Sequence, residues 1–208
     1  MKIPVYIFLI PLCVLLYSCQ QSLNLRETNS SAWVSFGKEA TVIRDGYKMM
    51  QRFDPPTYAR SVYVQRKSDK QPILFYTHKR RIEAALGHQG QLVLINDYFA
   101  TKACKVVVAD IDSGKNWQID EAAQRQYMRT APKNWLPYHA IPKAAAFSPD
   151  DKMVLIAMKS GYVASSAEEA DEFGRRFRIW SYVVDSMDGT VLHVHQTNRT
   201  VPSNWWQF

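Results

Sequence analysis

His193 and His195 stand two apart in the run Thr190 to His195, TVLHVH. In an extended chain, residues i and i+2 share a face, so two imidazoles there could hold one metal ion that activates water for hydrolysis. A third ligand is required; His139, His78 and His88 are available, and no spacing singles one out. The simpler reading is a pair of histidines on the polar side of a strand. The other chemistries fail on motif: there is no G-x-S-x-G elbow, no phosphate-binding loop, no H-E-x-x-H and no C-x-x-C. Asp110, Asp112 and Asp120 lack the glycine and terminal glutamate of a calcium loop and read as turn and cap carboxylates. Cys104, close to Lys102 and Lys105, could have a lowered thiol pKa, but it leads into the Val106-Val107-Val108 run and reads as a small buried residue. No cofactor is implied.

The chain has 208 residues, 47% hydrophobic and 22% charged, which excludes a disordered polymer, and its three cysteines exclude a disulfide-dense scaffold. Its first residues carry an address. Lys2 precedes an uncharged run from Ile3 to Tyr17, interrupted by Pro4 and Pro11 and shorter than the roughly 20 residues a spanning helix needs. Leu16-Tyr17-Ser18-Cys19 closes it and resembles the lipobox of bacterial lipoproteins. The resemblance implies a signal peptide over 1–18, cleavage before Cys19 and acylation of that cysteine. By the same resemblance Gln20, where an Asp would favour retention at the inner membrane, implies an outer-membrane lipoprotein facing the periplasm, with the inner membrane and the cell surface as alternatives. Residues 20–31 are polar and read, with Cys19, as a flexible tether over 19–31. Residues 32–208 read as one β-rich domain.

The balance of 26 Lys and Arg against 19 Asp and Glu is basic, with clusters at Lys79-Arg80-Arg81 and at Arg175, Arg176 and Arg178. For an exported protein this excludes nucleic acid and points to an anionic membrane surface, an anionic glycan or an acidic protein, with plain solvated charge as the simplest account. The acids Glu168, Glu169, Asp171 and Glu172 lie close enough to Arg175 and Arg176 for local pairing on a helix. Trp205-Trp206-Gln207-Phe208 lies beyond the last strand and is expected to dock back over a sheet.

The elements that would position these residues are mostly strands. β-branched and aromatic runs predict strands at 33–36, 40–43, 60–66, 73–77, 91–96, 105–110, 115–119, 153–158, 177–185 and 190–195. Two short helices are expected as inserts, Glu121 to Arg129 and Ser166 to Phe173, the second opened by a capping box of Ser166 with Glu169 and closed by Gly174. A weak repeat joins Val107-Val108-Ala109-Asp110-Ile111-Asp112-Ser113-Gly114 to Val183-Val184-Asp185-Ser186-Met187-Asp188-Gly189: an Asp ends the strand, and Gly supplies the positive φ of the turn.

Phe147-Ser148-Pro149-Asp150-Asp151-Lys152 followed by MVLIAM resembles the SPDG-K turn of TolB-like and WD40-like β-propeller blades, and the hairpins at Asp110 and Asp185 resemble the later Asp-to-Gly turn of those blades. The resemblance covers about residues 80–196. It implies a mainly β fold of antiparallel four-stranded meander units near 80–120 and 141–196, as a partial propeller or stacked sheets with two inserted helices. Ser148, Pro149, Asp150, Asp110, Gly114, Asp185 and Gly189 are its structural turn residues. The functional expectation is a non-catalytic envelope lipoprotein that binds an unidentified envelope or secreted protein. A toxin-neutralising immunity lipoprotein is one alternative, and a metal-dependent hydrolase using His193 and His195 the other.

Overall fold

The computed structural model describes residues 33–34, 40–54, 59–100, 103–131, 141–161, 166–168, 177–197 and 204–208. Cys19, the apolar run before it, the tether and His139 fall outside these residues, as do Phe36 and most of the expected helix at 166–173.

Three antiparallel meanders follow one another along the chain. Sheet I is β2 (Ala40–Arg44), β3 (Tyr47–Asp54), β4 (Ala59–Gln65) and β5 (Ile73–His78). Sheet II is β6 (Arg81–Leu86), β7 (Leu92–Ala100), β8 (Ala103–Asp110) and β9 (Asn116–Gln118). Sheet III is β10 (Ile141–Phe147), β11 (Met153–Gly161), β12 (Phe177–Asp185) and β13 (Val191–Thr197). The short β1 (Trp33–Val34) pairs with β6, Trp33 opposite Ala85 and Val34 opposite Ala84, and so extends sheet II to five strands. The fold is mainly β, in four-stranded antiparallel units, as the sequence implies. The first strands of sheets II and III, β6 and β10, carry too weak a pattern for the sequence to mark them, and β3 likewise.

Alternation sets the stacking. In sheet I, Met49, Val62 and Val64 face sheet II and form one core with Ile82, Leu86, Val93, Ile95 and Val107. The opposite face of sheet II, with Leu94, Val106 and Val108, packs on Phe147, Val154, Ile156 and Tyr182 of sheet III. Sheet II is thus apolar on both faces, which is why LVLIN and KVVVAD read as nearly continuous hydrophobic runs. Helix α1 (Glu121–Thr130) links sheets II and III and lays Ala123 and Tyr127 into the second core, the Tyr127 ring edge-on to Trp180 at 5.1 Å. Asn96, fully buried, holds β10 by a pair of bonds: its Nδ2 donates to Ala144 O at 3.1 Å and its Oδ1 accepts from Ala144 N at 2.8 Å. The register of β10 on β11 slips beside this point, between Ala144 and Ala146. No helix among the described residues is long and apolar enough to cross a membrane.

Candidate functional site

The turns singled out in the sequence come together at one end of sheets II and III. In the β8–β9 turn, Asp110 Oδ1 accepts from Asp112 N at 2.8 Å and Gly114 takes φ +69°. In the β12–β13 turn, Asp185 Oδ1 accepts from Met187 N at 2.7 Å and Gly189 takes φ +73°. The two hairpins have the same form, yet their glycines differ in use. A Cβ on Gly114 meets nothing within 4 Å, whereas one on Gly189 would lie 2.6 Å from Ile119 O. The second turn is therefore pressed against the end of β9, and Trp117 Nε1 donates to Ser186 O at 2.8 Å across the same seam.

The β10–β11 turn is built by side chains. Ser148 Oγ donates to Asp150 Oδ1 at 2.7 Å and accepts from Met153 N at 2.9 Å; Asp150 Oδ1 also accepts from Lys152 N at 3.2 Å. Pro149 occupies the first corner, where its fixed φ suits the turn. The Ser148 bond holds the Asp150 carboxyl below its ordinary value. Asp151 follows at φ +59°, the left-handed position that glycine usually fills. Its carboxylate reaches into sheet II: Oδ1 accepts from His88 N at 2.8 Å and lies 3.1 Å from His88 Nδ1, and Oδ2 accepts from Gln89 N at 2.7 Å. Gly87 lies under it, with room for no Cβ, since one would sit 2.6 Å from Asp151 Oδ2. Asp151 thus ties the β6–β7 turn to the β10–β11 turn. In the sequence its signal is an Asp standing where the resembling SPDG-K turn has Gly.

Between these turns opens a cleft of about 380 Å³ lined by Gln89, Gln91, Asp150, Lys152, Asp185 and Met187. Asp151 at its base is committed to backbone amides, while Asp150 and Asp185 each satisfy local turn amides and leave acceptor capacity toward the opening. Met187 is 64% exposed at the rim. The cleft can accept amide or cationic donors beside a flexible apolar side chain, which suits a protein segment.

The histidine pair lies elsewhere. The His193 and His195 rings are 4.4 Å apart, Phe208 stacks on His193 at 4.8 Å, and His195 Nε2 is 3.4 Å from Trp205 O. Trp205 is buried with Ala146, Leu155 and Val183, and Trp206 packs alongside, so the terminal aromatics dock on the outward face of sheet III. The other described histidines are far from it in the fold: His88 lies on Asp151, and His78 Nδ1 is 3.2 Å from Asp97 Oδ1. Among the described residues no group of three His, Cys, Asp or Glu is placed to hold a metal ion. Asp97 is buried at the seam of sheets I and II, taking a bond from Tyr76 Oη at 2.7 Å with Lys105 Nζ at 3.4 Å. Cys104, next to Lys105 in sequence, is buried, with Sγ 3.5 Å from Lys105 O.

No protein-family model matches the sequence, and no curated protein matches it. Solved structures do resemble it in fold. A Pyrococcus horikoshii acylaminoacyl peptidase matches over 77% of this chain and 25% of its own, at 9% identity and TM-score 0.45. The β-propeller domain of the Trilobed protease from Pyrococcus furiosus matches over 82% and 45%, at 11% identity and TM-score 0.42. A prolyl endopeptidase matches over 91% and 28%, at 15% identity and TM-score 0.44. The chain spans about a quarter of the length of the acylaminoacyl peptidase it matches. One expectation is corrected: the solved proteins matched here are named as peptidases, and the expectation of a non-catalytic chain is withdrawn.

Proposed function

We propose that this chain is a lipid-anchored envelope protein whose stacked meanders bind a protein partner through the turn face of sheets II and III. The observation that carries the binding reading is the cleft between those turns, where the largely exposed Met187 stands beside Asp150 and Asp185 on a rigid frame clasped by Asp151. Exposed apolar side chains next to fixed acceptors are the ordinary make-up of a protein contact. The Leu16-Tyr17-Ser18-Cys19 motif supports anchorage through Cys19, on the periplasmic side of the outer membrane.

The binding test is a pull-down from solubilised membranes with wild type, Met187→Glu and Asp185→Asn, which keeps the acceptor for Met187 N and removes the charge, read by mass spectrometry. A partner captured by wild type and lost from both variants at unchanged thermal stability is the expected result. Capture that is indifferent to both substitutions defeats the cleft. The anchor is tested by Cys19→Ala, which should move the protein out of the membrane fraction or leave it unprocessed. A Cys19→Ala protein of unchanged mass that stays in the membrane refutes acylation there.

A further inference from the structure

The chain's net charge of +7 is concentrated in the segment that builds sheet I, with Arg44, Lys48, Arg52 and Arg60 in its strands and the other basic residues in its connections. Residues 40–80, the segment of sheet I, hold nine Lys and Arg against three Asp, a net of +6, while residues 81–208 hold fourteen of each and net to zero. Two of the three acids are matched locally, Asp69 by Arg66 at 3.0 Å and Asp45 by Lys67 at 3.7 Å. Pairing across the strands defines the face turned away from sheet II. Ile43 lies opposite Lys48, Thr41 opposite Met50, Met50 opposite Tyr63, and Tyr63 opposite Leu74. On that face Ile43 is 66% and Leu74 55% exposed, and the Arg52 guanidinium lies over the Tyr63 ring at 5.2 Å. Among the described residues no carboxylate lies within ion-pair distance of Lys48 or Arg52.

Charge and packing argue against two occupants the chain itself could supply, a second copy and the first 32 residues. A second copy of the face would bring like charges together. Head-to-tail stacking on sheet III is blocked because Trp205 and Trp206 already cover that sheet's outward side. The first 32 residues hold a single acid, Glu27, beside Lys2 and Arg26, and offer no neutralising charge. We infer that the outward face of sheet I rests on an anionic lipid surface. Lys and Arg extend charged heads toward phosphates while their stems lie along apolar ground, and Ile43, Leu74 and Tyr63 supply the aliphatic and aromatic groups that enter the interfacial layer. The anchored topology proposed above serves this inference only by bringing the sheet within reach of a bilayer.

The full chain, reconstituted into vesicles of neutral phosphatidylcholine and of phosphatidylcholine with phosphatidylglycerol, is footprinted with hydroxyl radicals and read by mass spectrometry. Labelling of Ile43 and Leu74 should fall about fivefold on the anionic vesicles relative to the neutral ones. Met128 and Met187, each 64% exposed, serve as unchanged references. About 1 M salt, where screening is nearly complete beyond about 3 Å, should restore the labelling. The double variant Lys48→Glu/Arg52→Glu should lose the protection, and so should Thr41→Glu at an exposed neighbouring position. Equal labelling on both vesicle types overturns the inference. So does protection that survives both variants, or that appears only when envelope proteins are added. The fraction pelleted on neutral vesicles reports the Cys19 anchor separately, so failure of the anchor leaves the footprint comparison intact.

Discussion

Asp151 combines an unfavourable backbone with a favourable side chain, and the two can be separated by substitution. An L-residue in the left-handed region costs about 1–2 kcal/mol, and this one is held there by the bonds its carboxylate accepts from His88 N, His88 Nδ1 and Gln89 N. Asp151→Ala should therefore lower stability by about 2–4 kcal/mol, and Asp151→Gly by about 1 kcal/mol less, because glycine recovers the backbone term but not the clasp. Gly87→Ala should destabilise wild type, since its Cβ meets Asp151 Oδ2, and should cost much less in the Asp151→Gly background. Chemical denaturation of the four proteins gives the cycle; equal cost of Gly87→Ala in both backgrounds refutes the contact. Asp150→Ala should cost about 1 kcal/mol, the scale of a lost turn bond. The turn itself was legible in Ser148-Pro149-Asp150, because its hydrogen bonds close within a few residues. The clasp was not, because its two ends are 63 residues apart and only the fold brings them together.

At the scale of elements, Asp120 couples β8 to α1. It sits at the N-cap of the helix, fully buried, with Oδ1 accepting from Val106 N at 2.9 Å and Gln124 Nε2 donating to Oδ2. Burial raises its pKa, against the lowering effect of those bonds. A carboxyl whose folded pKa lies above its unfolded value makes the folded state bind protons more tightly. Its ionisation then removes stability as pH rises from the unfolded value through the folded one. Asp120→Asn keeps the acceptor for Val106 N and should abolish that decline; denaturation from pH 3 to pH 7 checks it, and parallel profiles for the two proteins count against the assignment. Legibility divided along similar lines. Strands rich in Val and Ile, such as β7, β8, β11 and β12, announced themselves. β3 did not, because YKMMQRFD is poor in β-branched residues and its adjacent Met49 and Met50 are buried on opposite faces. β6, RIEAAL, is composed of helix formers, and its pairing with β7 and β1 overrides that preference. β10, with Pro142 and three alanines, gained its strand geometry from β11 and from the Asn96 clamp.

For the whole molecule, the two outer sheets end the stack differently. Sheet III is closed by Trp205, 1% exposed, which fills the space against Leu155 and Val183. Trp205→Ala should cost about 3–5 kcal/mol and, by opening this face, should add self-association visible in sedimentation at concentrations where wild type is monomeric. A folded variant of wild-type stability would show that the terminal aromatics merely lie on the sheet. The sequence marked this docking because such a cluster is rarely left in water; it gave no sign of which sheet would receive it. The other end of the stack carries the charge of sheet I, and the entry to that sheet has a mechanical meaning. The chain passes through β1, bonded to sheet II at Trp33 and Val34, before it reaches β2. Tension applied before Trp33 is therefore delivered to sheet II, which packs on both neighbours, and sheet I stands outside the load path. Two residue pairs form a short bond line, so β1 is the fuse of the fold: it peels first under a pull, and only then does sheet I begin to bear force.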